Sequence, residues 1–328
     1  MNTIQAILES MLREAVSPQT AAVAIAAIGL NIHFGYIGLL NIGQSGFMLL
    51  GAYGFAISIG HGLPLVVGIL IGFGAALVFA LVLGAPTLKL RGDYLAIVTI
   101  SAAEIIRYVG RSALLTDFTG AAQGLQGKSY RDPFTNLSFF GGGSTSIGVL
   151  DYQNTGVNGW WVRFVAWTLV ALCLLVVFLL VRSPWGRLLR GIREDEDAIR
   201  SLGKNVFAIK MQALIIGGMF GALGGMLYVL PSSVQPDAMG RSLTFFCYTA
   251  LLLGGAATIF GPALGAVLFY AARIMVKGIA NAYVPDSIMN GQQTEQFSYI
   301  VVGVALMLIV IFRPQGILGN KRELRFNV

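Results

Sequence analysis

Long apolar blocks alternate with short polar segments along most of the chain. An α-helix needs about 20 mostly apolar residues to cross a bilayer core. Blocks of that kind lie at 20–36, 64–84, 160–181, 207–230, 262–280 and 297–312. Weaker blocks, in which Gly, Ser, Thr, Asn, Gln or Glu interrupt the apolar run, lie at 42–59, 94–113 and 244–257. The pattern predicts an all-α, polytopic membrane protein of about nine (eight to ten) transmembrane helices.

The segment before Pro18 has a different pattern. Its apolar residues recur at helical spacing, as Ile4, Ile7, Leu8, Met11 and Leu12. This spacing predicts that 1–19 forms a short amphipathic helix lying on the membrane. We expect 20–319 to form a single transmembrane domain and 320–328 a cytoplasmic tail.

Composition narrows the class further. The 328 residues are 56% hydrophobic and 11% charged, whereas soluble domains average about 25% charged residues. A soluble enzyme is therefore almost excluded. Cys173 and Cys247 both lie in apolar blocks, which argues against a disulfide scaffold or a cysteine-based metal site. His33 and His61 are the only histidines, so the sequence contains no metal-ligating cluster.

The net charge of +7 is concentrated near one membrane face. Lys and Arg cluster in 182–204, in the loop 85–93 and in the tail from Arg313, which fall on one side if the crossings are counted as above. The positive-inside rule makes that side cytoplasmic. The glycine-rich loop 114–159 falls outside, together with 231–243 and 281–296. The N-terminus is therefore predicted outside and the C-terminus in the cytoplasm, and the charge indicates a membrane face rather than a nucleic-acid partner.

The loop 182–206 is a polar island between two strong spans. Pro184 near its start, Gly203 near its end and the i,i+4 pair Glu196–Arg200 predict a helix. One interpretation is an ordinary cytoplasmic loop, and the other is a helix that docks onto a soluble partner. A docking face would use the charged residues and the terminal glycine, which are Arg187, Arg190, Glu194, Glu196, Asp197 and Gly203, with Arg193 continuing the basic series.

Glycine is dense in three stretches, where it allows helices to pack closely. The stretch 31–46 also contains polar residues, so it is a candidate for broken helices that line a transport path. The candidate path residues there are Asn31, Asn41, Gly43, Gln44 and Ser45, whereas His33 is interpreted as a packed, hydrogen-bonded histidine. Residues 254–262 predict a short turn between two spans, with Gly254, Gly255 and Gly261 as a candidate gate.

Glu104 lies at membrane depth, where an unpaired carboxylate would be costly. Arg107 stands three positions later on the same helix face, so an intrahelical pair is one interpretation, and a carboxylate facing the path is the other.

Residues 122–129, AQGLQGKS, approach a P-loop pattern. We dismiss this match because the pattern predicts neither a strand before it nor a helix after it.

Several stretches in order along 20–319 resemble one family of membrane proteins. They include AAIGLNIHFGYIGLLNIGQSGFMLLGAYG at 26–54, LRGDYLAIVTISAAEIIR at 90–107, GRLLRGIREDEDAIRSLGKNVFAIK at 186–210, GGMFGALGGMLY at 217–228, LLLGGAATIFGPALGA at 251–266 and FRPQGILG at 312–319. The family is that of the inner-membrane permease subunits of ABC importers for branched-chain amino acids, specifically the longer, M-type permease. Urea-importer permeases are close relatives.

The resemblance implies an ABC importer permease fold in a bacterial inner membrane. It implies a related permease as the other half of the path, two cytoplasmic ATPases that bind ATP and Mg²⁺, and an extracytoplasmic binding protein. It also implies that 184–204 is the coupling helix, that this chain is no enzyme by itself and that it holds no cofactor. The expected cargo is branched-chain or similar neutral amino acids, carried by alternating access. The alternatives are urea or short-chain amides, a stand-alone secondary transporter or channel, and a structural membrane subunit.

The chain departs from the usual family pattern at two glycine positions. Where the family usually has Thr-Gly-Gly-x-x-Gly, this sequence has Ala121 and Ala122 after Gly120. Where it usually has Gly-Gly-x-Gly-Thr, this sequence has Ala257 before Thr258. Both departures fall in segments near the expected mouth and gate.

Overall fold

The computed structural model describes residues 3–89, 92–147, 150–285, 289–313 and 315–319. The α-helices in these ranges are α1 Thr3–Ala15, α2 Pro18–Leu30, α3 Gln44–Gly60, α4 Leu65–Thr87, α5 Gly92–Arg111, α6 Thr116–Thr119, α7 Lys128–Thr135, α8 Trp160–Arg182, α9 Pro184–Glu194, α10 Glu196–Ser201, α11 Val206–Val229, α12 Arg241–Gly254, α13 Gly261–Tyr283 and α14 Gly291–Phe312. A π-helix, Asn31–Tyr36, continues α2. Short 3-10 helices and an antiparallel hairpin of β1 Ser144–Ile147 and β2 Leu150–Gln153 complete the described elements.

Each predicted apolar block contains one helix of this set, namely α2, α3, α4, α5, α8, α11, α12, α13 and α14. Within the described residues, five of them are by themselves long and apolar enough to cross a membrane, or six if the bent α1–α2 pair is one span. The difference arises because α2, α3 and α12 have 13, 17 and 14 residues, fewer than the roughly 20 of a complete span. Helix α5 has 20 residues but contains Asp93, Glu104, Arg107 and Arg111. The all-α class is confirmed, apart from the small hairpin.

The centre of the bundle is formed by α2, α3 and α11. Residues 21–27 of α2 are fully buried. Small residues make this packing possible, because a Cβ atom at Gly51 would overlap the backbone of Ala222 and one at Gly225 would overlap the backbone of Met48. The glycine density of the sequence therefore serves close helix contacts, as one of its two interpretations predicted.

The outer surface of the bundle is apolar. Helices α4, α8 and α14 expose large apolar side chains along one side, including Val66, Leu70, Val78, Val82, Leu172, Leu175, Leu179, Ile300, Val304 and Ile311. Such a continuous apolar surface is typical of helices in contact with lipid.

The amphipathic helix predicted before Pro18 is present as α1. Ile4, Leu8 and Leu12 are exposed on one face, while Ile7 lies against Gly278 of α13. Ser17 separates α1 from α2 and caps α2, since its Oγ accepts a hydrogen bond from the amide of Thr20 at 3.1 Å. The exposed apolar face supports the prediction that α1 rests on the membrane.

The loop 114–159 has more structure than predicted. The expectation that no helix follows residues 122–129 is wrong, because α7 begins at Lys128. This helix forms because Tyr130 and Phe134, one turn apart, are both buried. The Tyr130 hydroxyl donates to the carbonyl of Val229 at 2.9 Å, and burial raises its pKa to about 12. Between α5 and this segment the described residues form only short helices, so the strand of a P-loop is missing there.

The polar island 182–206 is two helices rather than the single helix expected. Asp195 between α9 and α10 is extended, with φ −153° and ψ 104°. Its carboxylate accepts a hydrogen bond from the amide of Ala198 at 3.0 Å, which caps α10 and interrupts the helix. The Glu196–Arg200 pair is confirmed at 3.0 Å, and Gly203 follows α10 with φ +73°.

Candidate functional site

Residues 31–43 connect α2 to α3 inside the protein rather than at its surface. The connection consists of the π-helix and an irregular stretch that ends at Gly43. Free backbone groups in such a stretch need partners, and neighbouring helices supply them. Thr99 of α5 accepts from the amide of Ile42 at 3.0 Å. Tyr248 of α12 donates to the carbonyl of Asn41 at 3.0 Å.

A polar cluster of His33, Asn41 and Gln44 lies at the end of this connection. The Asn41 amide nitrogen donates to Nδ1 of His33 at 3.0 Å and to Oε1 of Gln44 at 3.1 Å, and its oxygen accepts from the Gly43 amide at 2.9 Å. Nδ1 of His33 is thus an acceptor, which assigns the proton to Nε2, 3.1 Å from the carbonyl of Leu214. His33 is therefore a packed, hydrogen-bonded histidine, as predicted.

Gln44 joins this polar cluster to the centre of the bundle. Its amide nitrogen lies 3.2 Å from the carbonyl of Ala26 in α2 and 3.2 Å from that of Gly217 in α11. The next residue, Ser45, donates its backbone amide to the Thr244 hydroxyl at 2.9 Å. The start of α3 is thereby fixed to α2, α11 and α12.

The predicted path residues Asn41, Gly43, Gln44 and Ser45 thus lie together. In this conformation the polar side chains are closed off, with Asn41 and Gln44 fully buried and Ser45 2% exposed. Sequence reasoning missed the neighbouring hydroxyls Thr99, Thr244 and Tyr248, since isolated hydroxyl residues in apolar blocks are usually packing residues and carry little signal.

The predicted path residue in the π-helix, Asn31, lies at a different place. Its amide nitrogen donates to the carbonyl of Thr258 at 2.7 Å, and its oxygen accepts from the amide of Ala257 at 2.8 Å. Asn31 therefore holds the turn between α12 and α13.

This turn is the predicted gate, and it is short and sharp as expected. The backbone at Gly255 has φ +117°, and a Cβ atom at Gly254 would overlap the backbone of Gly261. The stretch after α14 packs back onto it, because the Leu318 amide donates to the carbonyl of Gly254 at 2.9 Å. That contact between the chain's last described residues and the turn was not anticipated.

Glu104 lies away from the polar cluster, in the C-terminal half of α5. The intrahelical pair is confirmed, with Nη2 of Arg107 2.8 Å from Oε2 of Glu104. Asp237 also binds Arg107, at 2.5 Å, and Glu104 accepts from the backbone amide of Arg241 at 3.3 Å. Glu104 thereby connects α5 to the start of α12, whose positive dipole end favours a carboxylate.

The charged residues of the polar island differ in exposure. Arg187, Arg190, Glu194 and Asp197 are exposed. Glu196 is only half-exposed, because it forms ion pairs with Arg200 of its own helix and with Lys210 of α11. The segment is therefore anchored to the bundle through Glu196, while Asp197 pairs with Arg200 at 2.8 Å and Arg190 donates to the carbonyl of Val181 at 3.2 Å.

Comparison with known proteins identifies the family. A family model described as branched-chain amino acid transport system / permease component matches residues 13–311. The chain is similar to the high-affinity branched-chain amino acid transport system permease protein LivM of Escherichia coli (strain K12), with 30% identity over 94% of this chain and 70% of that protein. It is also similar to BraD, a permease protein of a high-affinity branched-chain amino acid transport system in Pseudomonas aeruginosa, with 27% identity over 90% of this chain and 91% of that protein. The guanosine ABC transporter permease protein NupQ of Bacillus subtilis is 26% identical over 71% of each chain. The chain therefore belongs to the family of branched-chain amino acid transport system permease components.

Proposed function

We propose that this chain forms half of the translocation path of an ATP-driven importer for branched-chain or similar neutral amino acids. The family match over 13–311 carries this proposal. The geometry agrees with it, since a buried polar connection inside an apolar bundle is the kind of element that discontinuous helices use to bind substrate in transporters.

The path is proposed to open at the polar cluster by alternating access. Asn41, Gly43, Gln44 and Ser45, together with Asn31 at the turn between α12 and α13, are closed in this conformation, and a second conformation exposes them to the substrate. Amide side chains and free backbone groups can replace water around the ammonium and carboxylate of an amino acid. Glu104 is proposed as a structural residue that pairs with Arg107 beside the outer mouth, and the turn of Gly254, Gly255 and Gly261 is proposed as the gate.

The energy for this change is proposed to come from partner subunits. Arg187, Arg190, Glu194, Glu196, Asp197 and Gly203 form the docking face for a cytoplasmic ATPase, which binds ATP and Mg²⁺ and hydrolyses the nucleotide. The basic series on α9, followed by the acidic run 194–197, supports a specific orientation of that partner. A second, homologous permease and an extracytoplasmic binding protein complete the complex, in a bacterial inner membrane with the C-terminus in the cytoplasm.

Urea or short-chain amides remain the second candidate for the cargo within the same class. The similarity to a guanosine permease shows that cargo differs among related permeases, so cargo needs a direct test. The complete complex, reconstituted in vesicles with its binding protein, should take up labelled leucine, isoleucine or valine when ATP is supplied on the cytoplasmic side. Uptake of urea in preference to these amino acids would favour the second candidate. Uptake without ATP would favour a stand-alone carrier.

A further inference from the structure

Arg193 of α9 makes a contact that crosses from the polar island into the transmembrane bundle. Its guanidinium donates a hydrogen bond to the backbone carbonyl of Gly35, in the π-helix. The stem of Arg193 also packs against the residues that follow, since a Cβ atom at Gly38 would lie 3.3 Å from its Cγ. The side chain itself is only half-exposed, so it belongs to the contact rather than to the partner-facing surface.

The π-helix contacts the gate turn, the polar cluster and the polar island. Asn31 at its start holds the turn between α12 and α13. His33 in its middle binds Asn41 and the backbone of α11. Gly35 near its end receives Arg193. π-Helical turns are rare and occur frequently at functional sites, and this one joins three elements that the proposed cycle must move together.

We propose that Arg193 is the positioning residue that transmits movement of the docked segment to the π-helix, and through it to the polar cluster and the gate turn. This inference rests on the proposed function and specifies how the docking face of the polar island is connected to the polar cluster and the gate turn. Arg193 touches neither substrate nor nucleotide in this account. A guanidinium suits the task because it is charged at all relevant pH values and donates several hydrogen bonds from a rigid plane.

The hydrogen bond is tested with Arg193→Met, which keeps a long stem and removes every donor, and Arg193→Lys, which keeps a charged donor group without the planar guanidinium. Both are measured in the complete reconstituted complex, as amino acid taken up per ATP hydrolysed. We expect Arg193→Met to assemble and to hydrolyse ATP while this ratio falls about fivefold or more, and Arg193→Lys to retain part of it. The matched control is Arg182→Gln, which removes one positive charge at the end of α8, where the guanidinium lies over the Phe178 ring. Its ratio should equal that of the wild type.

A redox rescue separates transmission from a general structural role. A Cβ atom at Gly38 would lie 3.8 Å from Cβ of Arg193, which is close to the usual Cβ spacing of a disulfide, about 3.8 Å. Arg193→Cys alone should lose coupling. Adding Gly38→Cys and oxidising the assembled complex should restore it, because the bridge replaces the hydrogen bond, and reduction should remove it again. Native Cys173 and Cys247 are buried and take no part.

Each result decides the proposal. A wild-type ratio in Arg193→Met would overturn it, and so would an oxidised bridge that forms but leaves coupling lost or blocks uptake. Gly38 has φ +79°, so Gly38→Cys alone is measured for assembly. If that variant does not assemble, the proposal is tested only by comparing Arg193→Met with Arg193→Lys in amino acid taken up per ATP hydrolysed. Failure of the wild-type complex to use ATP for uptake would instead refute the proposed function.

Discussion

The side-chain amide of Asn41 donates a hydrogen bond to Nδ1 of His33, 3.0 Å away, where both side chains are fully buried. The contact joins the irregular end of the connection to the middle of the π-helix. It also sets the tautomer of the histidine, whose other nitrogen is then able to donate to α11. A pair of this kind stabilises one particular shape of the backbone between α2 and α3.

Asn41→Ala should therefore destabilise the protein. The change leaves the amide of Gly43 and Nδ1 of His33 without their partner, and each buried polar group left unpaired costs about 1–3 kcal/mol. The measurement is the free energy of unfolding in mixed micelles, with Asn136→Ala, at the exposed end of α7, as the matched control. Equal stability of the two variants would show that the cluster is not held by Asn41.

Ala121 and Ala257 both have positive φ, 50° and 60°. Glycine, which the family resemblance implies at both positions, adopts such a backbone without steric cost. A left-handed backbone costs an L-residue roughly 1–2 kcal/mol. Glycine avoids this cost, but it loses more conformational entropy on folding than alanine does, which offsets part of the gain. Ala121→Gly and Ala257→Gly should each stabilise the protein by about 0.5–1 kcal/mol.

The control for the two glycine variants is Ala171→Gly on the exposed side of α8. There the same change should destabilise by about 0.5–1 kcal/mol, because the backbone is helical. Unfolding measured under identical conditions should therefore give opposite signs. Destabilisation at all three positions would mean that the positive φ values carry no strain.

We predict that Glu104 is a structural residue, whose role is to neutralise the partly buried charge of Arg107. Glu104→Gln should lower the yield of intact complex, because Arg107 is then balanced only by Asp237, which is 49% exposed. Uptake per assembled complex and its pH dependence should stay unchanged. Asp237→Asn, at the more exposed end of the network, should have a smaller effect on yield. Normal yield with impaired uptake would instead place Glu104 in the path.

Hydropathy and glycine content predicted much of this fold because they depend on local sequence. The apolar blocks located the helices, and Pro184 and Gly203 located the ends of the polar island. What could not be predicted depends on residues far apart in the chain. The turn at Ala257 is held by Asn31, and the π-helix is held by Arg193, so neither follows from its own sequence.

The break at Asp195 shows a different limit. Glu194 to Asp197 form an acidic run that is compatible with one continuous helix or with a capped restart. The structure selects the restart because the Asp195 carboxylate caps Ala198 and the next residue, Glu196, reaches Lys210 on α11. Only the position of α11 distinguishes these outcomes, and that position is set by packing against α2 and α3.

The central claim is that the closed polar cluster becomes accessible during an ATP-driven cycle. Ser45→Cys tests it most directly, because the change is small and the residue is 2% exposed here. In the complete complex, the rate of its reaction with a small hydrophilic thiol reagent should differ about tenfold or more between the nucleotide-free and ATP-trapped states. Cys173 and Cys247, which are also buried, should stay unreactive in both states. A complex that carries amino acid while Ser45→Cys stays unreactive in both states would contradict the account.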